Sequence, residues 1–108
     1  MGAPRMTIPT QRVLRALLED PGAERYGLEL ADAAELATGT IHPILARLET
    51  AGWLKSRWED VDTSLAGRPA RRYYSLTASG VEAARFALAN AYRPRTRRTF
   101  TPVPEPGQ

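Results

Sequence analysis

Thr38, Thr40, His42, Pro43 and Arg47 fall within ten consecutive residues, and Ile41, Ile44, Leu45 and Leu48 recur among and just after them at i, i+3, i+4 and i+7. A helix that turns this apolar stripe inward leaves two hydroxyls, an imidazole and a guanidinium outside, close to its N-terminus. Such groups hydrogen-bond phosphates and base edges, and the positive end of the helix dipole adds to the attraction. Further along, Gly67, Arg68, Arg71 and Arg72 form a basic loop running into a strand. Guanidinium groups there suit a phosphate backbone or a minor groove, which positions a protein more than it reads sequence. The chemistry on offer is non-covalent recognition of a polyanion.

Covalent chemistry is poorly provided for. The chain has one His, no Cys and no glycine-rich loop between a strand and a helix. It therefore lacks a nucleophile paired with a base, a thiolate metal set and a phosphate cradle. Glu59 and Asp60 have no partner base and read as turn or solubility residues. No catalytic residue, metal ligand or cofactor is expected, and the chain does not read as an enzyme.

The 108 residues, 43% of them apolar, suit one small domain with a single core. No apolar run approaches the roughly 20 residues of a membrane span, and no signal-peptide pattern follows Met1. A soluble, cytoplasmic protein with no membrane partner is the expectation. Net charge is only +3, but it is unevenly spread. Residues 1 to 52 carry five Arg against seven acids, a net of −2, whereas residues 53 to 98 carry ten Lys and Arg against four acids, a net of +6. A positive half is the footprint of a nucleic-acid binder, because neutralised phosphates release counterions; the plain alternative is a solvated basic surface.

The elements that would position these groups follow from periodicity and breakers. Ile8, Val13, Leu14, Leu17 and Leu18 have helical spacing, closed by Asp20-Pro21-Gly22. A second helix is expected from about Tyr26 to Ala34, burying Leu28, Leu30, Ala31 and Ala34. The turn Glu35-Leu36-Ala37 leads to a third helix with Thr38 or Thr40 as N-cap. A regular start near Thr40 would place Pro43 in the first turn, where its missing N–H breaks no bond. Gly52 stops this helix, and alternation in Trp53–Trp58 and Arg71–Leu76 predicts two strands flanking a wing. Tryptophans so placed more often fill the core under a wing than line a ligand cavity. The order is that of a winged helix-turn-helix: mainly α with a small β-hairpin, three helices plus a two-stranded wing and a C-terminal helix.

Three stretches carry a family resemblance: Tyr26-Gly27-Leu28-Glu29-Leu30, Gly39-Thr40-Ile41-His42-Pro43-Ile44-Leu45-Ala46-Arg47-Leu48-Glu49, and Gly67-Arg68-Pro69-Ala70-Arg71-Arg72-Tyr73-Tyr74-Ser75-Leu76-Thr77. Together the chain resembles the PadR family of bacterial transcriptional regulators over roughly residues 10 to 82. The resemblance implies a winged-helix repressor, usually homodimeric, on a palindromic operator in double-stranded DNA, released in some members by a small-molecule effector. Carried over by position, Thr40, His42 and Pro43 would lie at the DNA-facing start of the recognition helix, and Gly67, Arg68 and Arg71 in the wing. His42 departs from the tyrosine common there; it keeps a polar tip and can take up a proton.

On this reading residues 1–9 are an N-terminal extension, 10–77 the DNA-binding domain, 78–92 a dimerisation helix and 93–108 a basic, proline-rich disordered tail. The last helix is apolar on more than one face, and the resemblance implies dimerisation through the first and last helices. Leu14, Leu17, Val81, Phe86, Leu88 and Tyr92 are the expected interface. DNA binding is expected from Thr38, Thr40, His42, Pro43 and Arg47 in the major groove, with Gly67, Arg68, Arg71 and Arg72 beside it. The rival is a winged helix that binds protein, since fold does not fix function. It predicts apolar groups on the outward face of the third helix.

Overall fold

The computed structural model of the chain describes residues 3–91. In chain order the elements are α1 (Ile8–Leu18), β1 (Arg25–Tyr26), α2 (Gly27–Ala34), α3 (Thr38–Thr50), β2 (Leu54–Trp58), α4 (Thr63–Ala66), β3 (Arg72–Leu76) and α5 (Ala78–Ala91). This is the expected winged helix, with a third strand and a short wing helix added. The sheet is antiparallel in the order β1-β3-β2. Leu54 pairs with Leu76 at one end of the hairpin, Trp58 pairs with Arg72 at the other, and Tyr26 of β1 pairs with Tyr73.

Helix ends are set locally. Thr7 caps α1, its hydroxyl accepting from the Thr10 N–H at 3.3 Å, with Pro9 in the first turn. α3 ends in a Schellman arrangement: the Gly52 N–H donates to the Glu49 carbonyl and the Trp53 N–H to the Leu48 carbonyl, both at 3.0 Å. Gly52 has φ +84°, a conformation that glycine takes without strain. One residue further, the chain is already in position to begin β2.

The core gathers Val13, Leu14 and Leu17 of α1, Leu30 and Ala34 of α2, the Ile41, Ile44, Leu45 and Leu48 stripe of α3, and Leu54, Tyr74 and Leu76 of the sheet. α5 joins through Ala84 and through Gly80, where a β-carbon would fall 2.8 Å from the carbonyl carbon of Trp53. Thr77 ties the same corner. Its N–H donates to the Trp53 carbonyl at 2.9 Å, and its hydroxyl donates to the Gly52 carbonyl at 2.8 Å while accepting from the Gly80 N–H at 2.9 Å. The end of α3, the start of the wing and the start of α5 thus share one joint.

Packing corrects several expectations. Leu14 and Leu17, expected at a dimer interface, are 0% and 2% exposed within the single chain, so they have no surface to give a partner. Leu28, expected to be buried, projects into solvent from α2. Trp58 is 61% exposed rather than core, whereas Trp53 packs partly buried against the core. α1 begins at Ile8, ahead of the expected domain boundary, and Ile8 itself is exposed. Tyr92 and the tail 93–108 lie outside the described residues.

Candidate nucleic-acid interface

α3 begins at Thr38, two residues before the expected regular start. Its N-cap is Ala37, in extended geometry with no side chain to cap, and the Thr40 and Ile41 N–H groups both donate to the Ala37 carbonyl at 2.9 and 3.1 Å. Neither threonine is the cap. Pro43 consequently lies inside the helix, where it has no N–H to give the Gly39 carbonyl one turn earlier. Burial of the apolar stripe on the opposite side holds the helix together across that gap.

Thr38, Gly39, Thr40, His42, Pro43, Ala46 and Arg47 are all exposed. They form an outer face running from the first residue of α3 to its third turn, with Thr38, Thr40, His42 and Arg47 as its polar members. The His42 ring also lies against α2, and a β-carbon on the buried Gly27 would meet its Cε1 at 2.9 Å. α2 therefore limits where the imidazole can swing. The α2–α3 turn is the compact Glu35-Leu36-Ala37, with Glu35 at φ 59° and the Leu36 N–H donating to the Ala31 carbonyl at 2.8 Å.

The wing is more tightly braced than its composition suggests. Glu59, read from sequence as a turn or solubility residue, accepts from both terminal guanidinium nitrogens of Arg68, at 2.7 and 3.0 Å, and from the Arg71 N–H at 3.2 Å. The hydrogen bond from Arg68 is the largest cause that lowers its carboxyl, followed by the Arg71 N–H and both positive charges, bringing it to about 2 from an ordinary 4.5 despite some desolvation. Asp62 caps α4 by accepting from the Ser64 hydroxyl and N–H, which lowers its carboxyl too, and Gly67 closes that helix at φ +71°. The region expected to be a basic loop is a capped turn of helix clamped by an ion pair.

The hairpin is bound to its neighbours in the same way. Glu49, near the end of α3, accepts from the Ser56 hydroxyl at 2.6 Å and from Arg72 at 3.5 Å, while Arg72 also donates to Ser56 at 3.0 Å and covers the Trp58 ring. α3 and the wing are thereby linked. On the other face Arg57 grips Glu24 through two 2.7 Å hydrogen bonds, lowering the Glu24 carboxyl, and lies over Tyr73. Arg71 lies 4.2 Å from the Tyr26 ring centroid, and Tyr26 meets Tyr73 edge to face. Arg68 and Arg72 thus have ion-pair partners within the chain, whereas Arg71 makes no ion pair among the described residues and lies over the Tyr26 ring.

Sequence reasoning passed over one neighbour of this face. Ala3, Pro4 and Arg5, set aside as an N-terminal extension, line one open cavity with Ala46, Arg47, Thr50 and Ala51 of α3. The overlooked signal is a basic residue beside Met6, whose apolar side chain packs against the core.

A helix-turn-helix with an exposed polar second helix, joined to a basic wing, defines the winged-helix class. The chain belongs to the transcriptional regulator PadR-like family, whose sequence pattern matches residues 13–85. No curated protein matches it in sequence. Among solved structures it is similar in fold to the transcriptional regulator PA4135, at 24% identity and a TM-score of 0.61, over 86% of this chain and 62% of that one. It is likewise similar to a mutant of MepR from a multidrug-resistant S. aureus isolate, at 19% identity and a TM-score of 0.61, again over 86% and 62%. A third similar structure is overoxidized AbfR bound to DNA, at 24% identity and a TM-score of 0.60, over 87% and 65%. The chain spans less than two thirds of the length of each.

Proposed function

We propose that the chain is a sequence-specific DNA-binding regulator, a repressor acting as a homodimer on a palindromic operator. The observation that carries this reading is the bare outer face of α3: threonine, glycine, histidine, proline and arginine side by side and exposed. The bond of Glu49 to Ser56 and Arg72 keeps the wing at a fixed angle beside that face. Thr38, Thr40, His42 and Pro43 would enter the major groove, with Arg71 on the flanking backbone. AbfR, one of the similar structures, was solved on DNA, which supports this partner. Dimerisation draws on α5, where Phe86 is 72% exposed, with Val81 and Leu88 partly buried against the protomer's own core.

The experiment is selection of bound duplexes from a random pool at near-physiological salt, with the mass of the complex followed by light scattering. The reading expects a two-fold symmetric site, half-sites about one helical turn apart, and two chains per duplex. A pool that returns only random sequence would overturn it and favour the protein-binding rival.

A further inference from the structure

The segment before α1 is tethered twice. Met6 packs against the hydrophobic core, and its carbonyl accepts from Gln11 Nε2 at 2.9 Å, Gln11 itself being buried. With Met6 pinned, Ala3, Pro4 and Arg5 are laid beside the third and fourth turns of α3. Together with Ala46, Arg47, Thr50 and Ala51 they line an open cavity of about 350 Å³. Arg5 and Arg47 are exposed, and neither has an ion pair among the described residues. The contrast with the wing is instructive, since Arg57, Arg68 and Arg72 all meet carboxylates there. Both arginines border this concavity and no carboxylate lines it, so an anion seated there would be attracted by two positive charges.

Helix geometry says which anion. Arg47 lies nine residues beyond Thr38, roughly 13 Å along the axis at 1.5 Å per residue. The major groove is about 12 Å wide. With the start of α3 in the groove, Arg47 is carried to its edge, where the sugar-phosphate chain runs, and Arg5 lies beside it. Alanine and proline offer apolar surface for a deoxyribose, and the guanidiniums suit a phosphate.

We propose that Arg5 and Arg47 form a clamp for one backbone phosphate at the edge of the operator's major groove, with the N-terminal arm as its second jaw. This rests on the DNA-binding reading and moves Arg47 from base reading to backbone holding.

The test follows binding of the full chain to its selected operator and to a random duplex, by fluorescence anisotropy across salt, for wild type, Arg5→Ala, Arg5→Lys, Arg47→Ala and the double alanine variant. Each phosphate contact contributes about 0.9 to the slope of log affinity against log salt. Arg5→Ala is expected to flatten that slope by about 0.9, so that its deficit against wild type shrinks about 3.5-fold between 50 and 200 mM salt. Operator and random DNA should lose alike, Arg5→Lys should keep the slope, and Arg47→Ala should repeat the Arg5→Ala pattern. Because Arg5 is exposed, an unchanged melting curve will show that its variants fold. An unchanged slope in Arg5→Ala, with operator preference intact, overturns the clamp and leaves the DNA reading standing. Loss of sequence preference in Arg47→Ala without a slope change also overturns it, by placing Arg47 on a base. A wild-type chain that prefers no sequence overturns the DNA reading and the clamp with it.

Discussion

Gly39 separates a demand of the fold from a demand of the partner. It lies exposed in the first turn of α3, and a β-carbon there would meet nothing within 4 Å. The free protein has no steric use for glycine at this position, and an alanine removes conformational freedom from the unfolded chain. Gly39→Ala should therefore stabilise by roughly 0.5–1 kcal/mol. For a domain of this size each kcal/mol moves the midpoint by about 4–8 °C, so a rise of roughly 2–8 °C is expected. If DNA approaches the start of α3 closely, the same methyl group overpacks that contact. Overpacking costs about 1–3 kcal/mol, which weakens operator binding roughly 5- to 150-fold. The assay is a pair of measurements on one variant, thermal unfolding by circular dichroism and operator titration by anisotropy. A variant that melts higher and binds as tightly as wild type would refute the reasoning, because the partner would then not lie against the first turn.

Gly80→Ala should do the reverse in the melt. Its β-carbon would run into the Trp53 backbone carbonyl, which no side-chain rotation can relieve. A loss of roughly 1–2 kcal/mol, after the modest gain in helix propensity, is expected as a lower midpoint; an unchanged melt would show that α5 can shift away freely. The Glu59 clamp should survive deep into acid. A glutamate lowered from 4.5 to about 2 contributes stability fully above pH 4.5 and loses it as pH falls through about 2. The Arg71 amide, watched by NMR, should keep its bonded position to near that pH, and release already near pH 4.5 would contradict the pairing. Phe86→Glu should give monomers by light scattering with little change in the protomer's melt, since the ring is mostly exposed; a persistent dimer would put the interface elsewhere.

What was legible in the sequence was local. The α3 stripe, the Glu35-Leu36-Ala37 turn and the Gly52 stop depend on neighbours within a few residues, and periodicity finds such features. β1 left no trace because two residues carry no period; Arg25 and Tyr26 become a strand only by pairing with Tyr74 and Tyr73. α4 had a signal that went unread, an aspartate cap and a glycine stop around four residues. Leu28 was misassigned because an eight-residue helix has too few turns to define a face. Leu14 and Leu17 show a deeper limit: an apolar residue on a helix serves core or interface equally well, and only the packing of α2, α3 and α5 around α1 decides. Of the candidate site, the outward face of α3 followed from its stripe. The engagement of Arg68 with Glu59 and of Arg72 with Glu49 did not, because charge counts do not say who meets whom.

Under the proposed reading, that last point alters what the basic half can offer DNA. A guanidinium already held by a carboxylate must give up that partner before it can replace a counterion, so the wing's formal charge overstates what it offers a phosphate. Glu59→Gln tests this directly. The amide keeps the size and one acceptor oxygen, so the Arg71 N–H can still be bonded, but the charge that occupies Arg68 is gone. Arg68, at the end of the wing turn, then becomes an available cation. Affinity for random duplexes should rise, and the salt slope should steepen by about 0.9, the increment for one more neutralised phosphate. Preference for the operator should narrow, because holding the backbone favours all sequences alike and a looser wing keeps its angle to α3 less well. If random-DNA affinity and slope stay at wild-type values while the fold is intact, Arg68 was never withheld by Glu59, and the wing's charges act on DNA as their simple count implies.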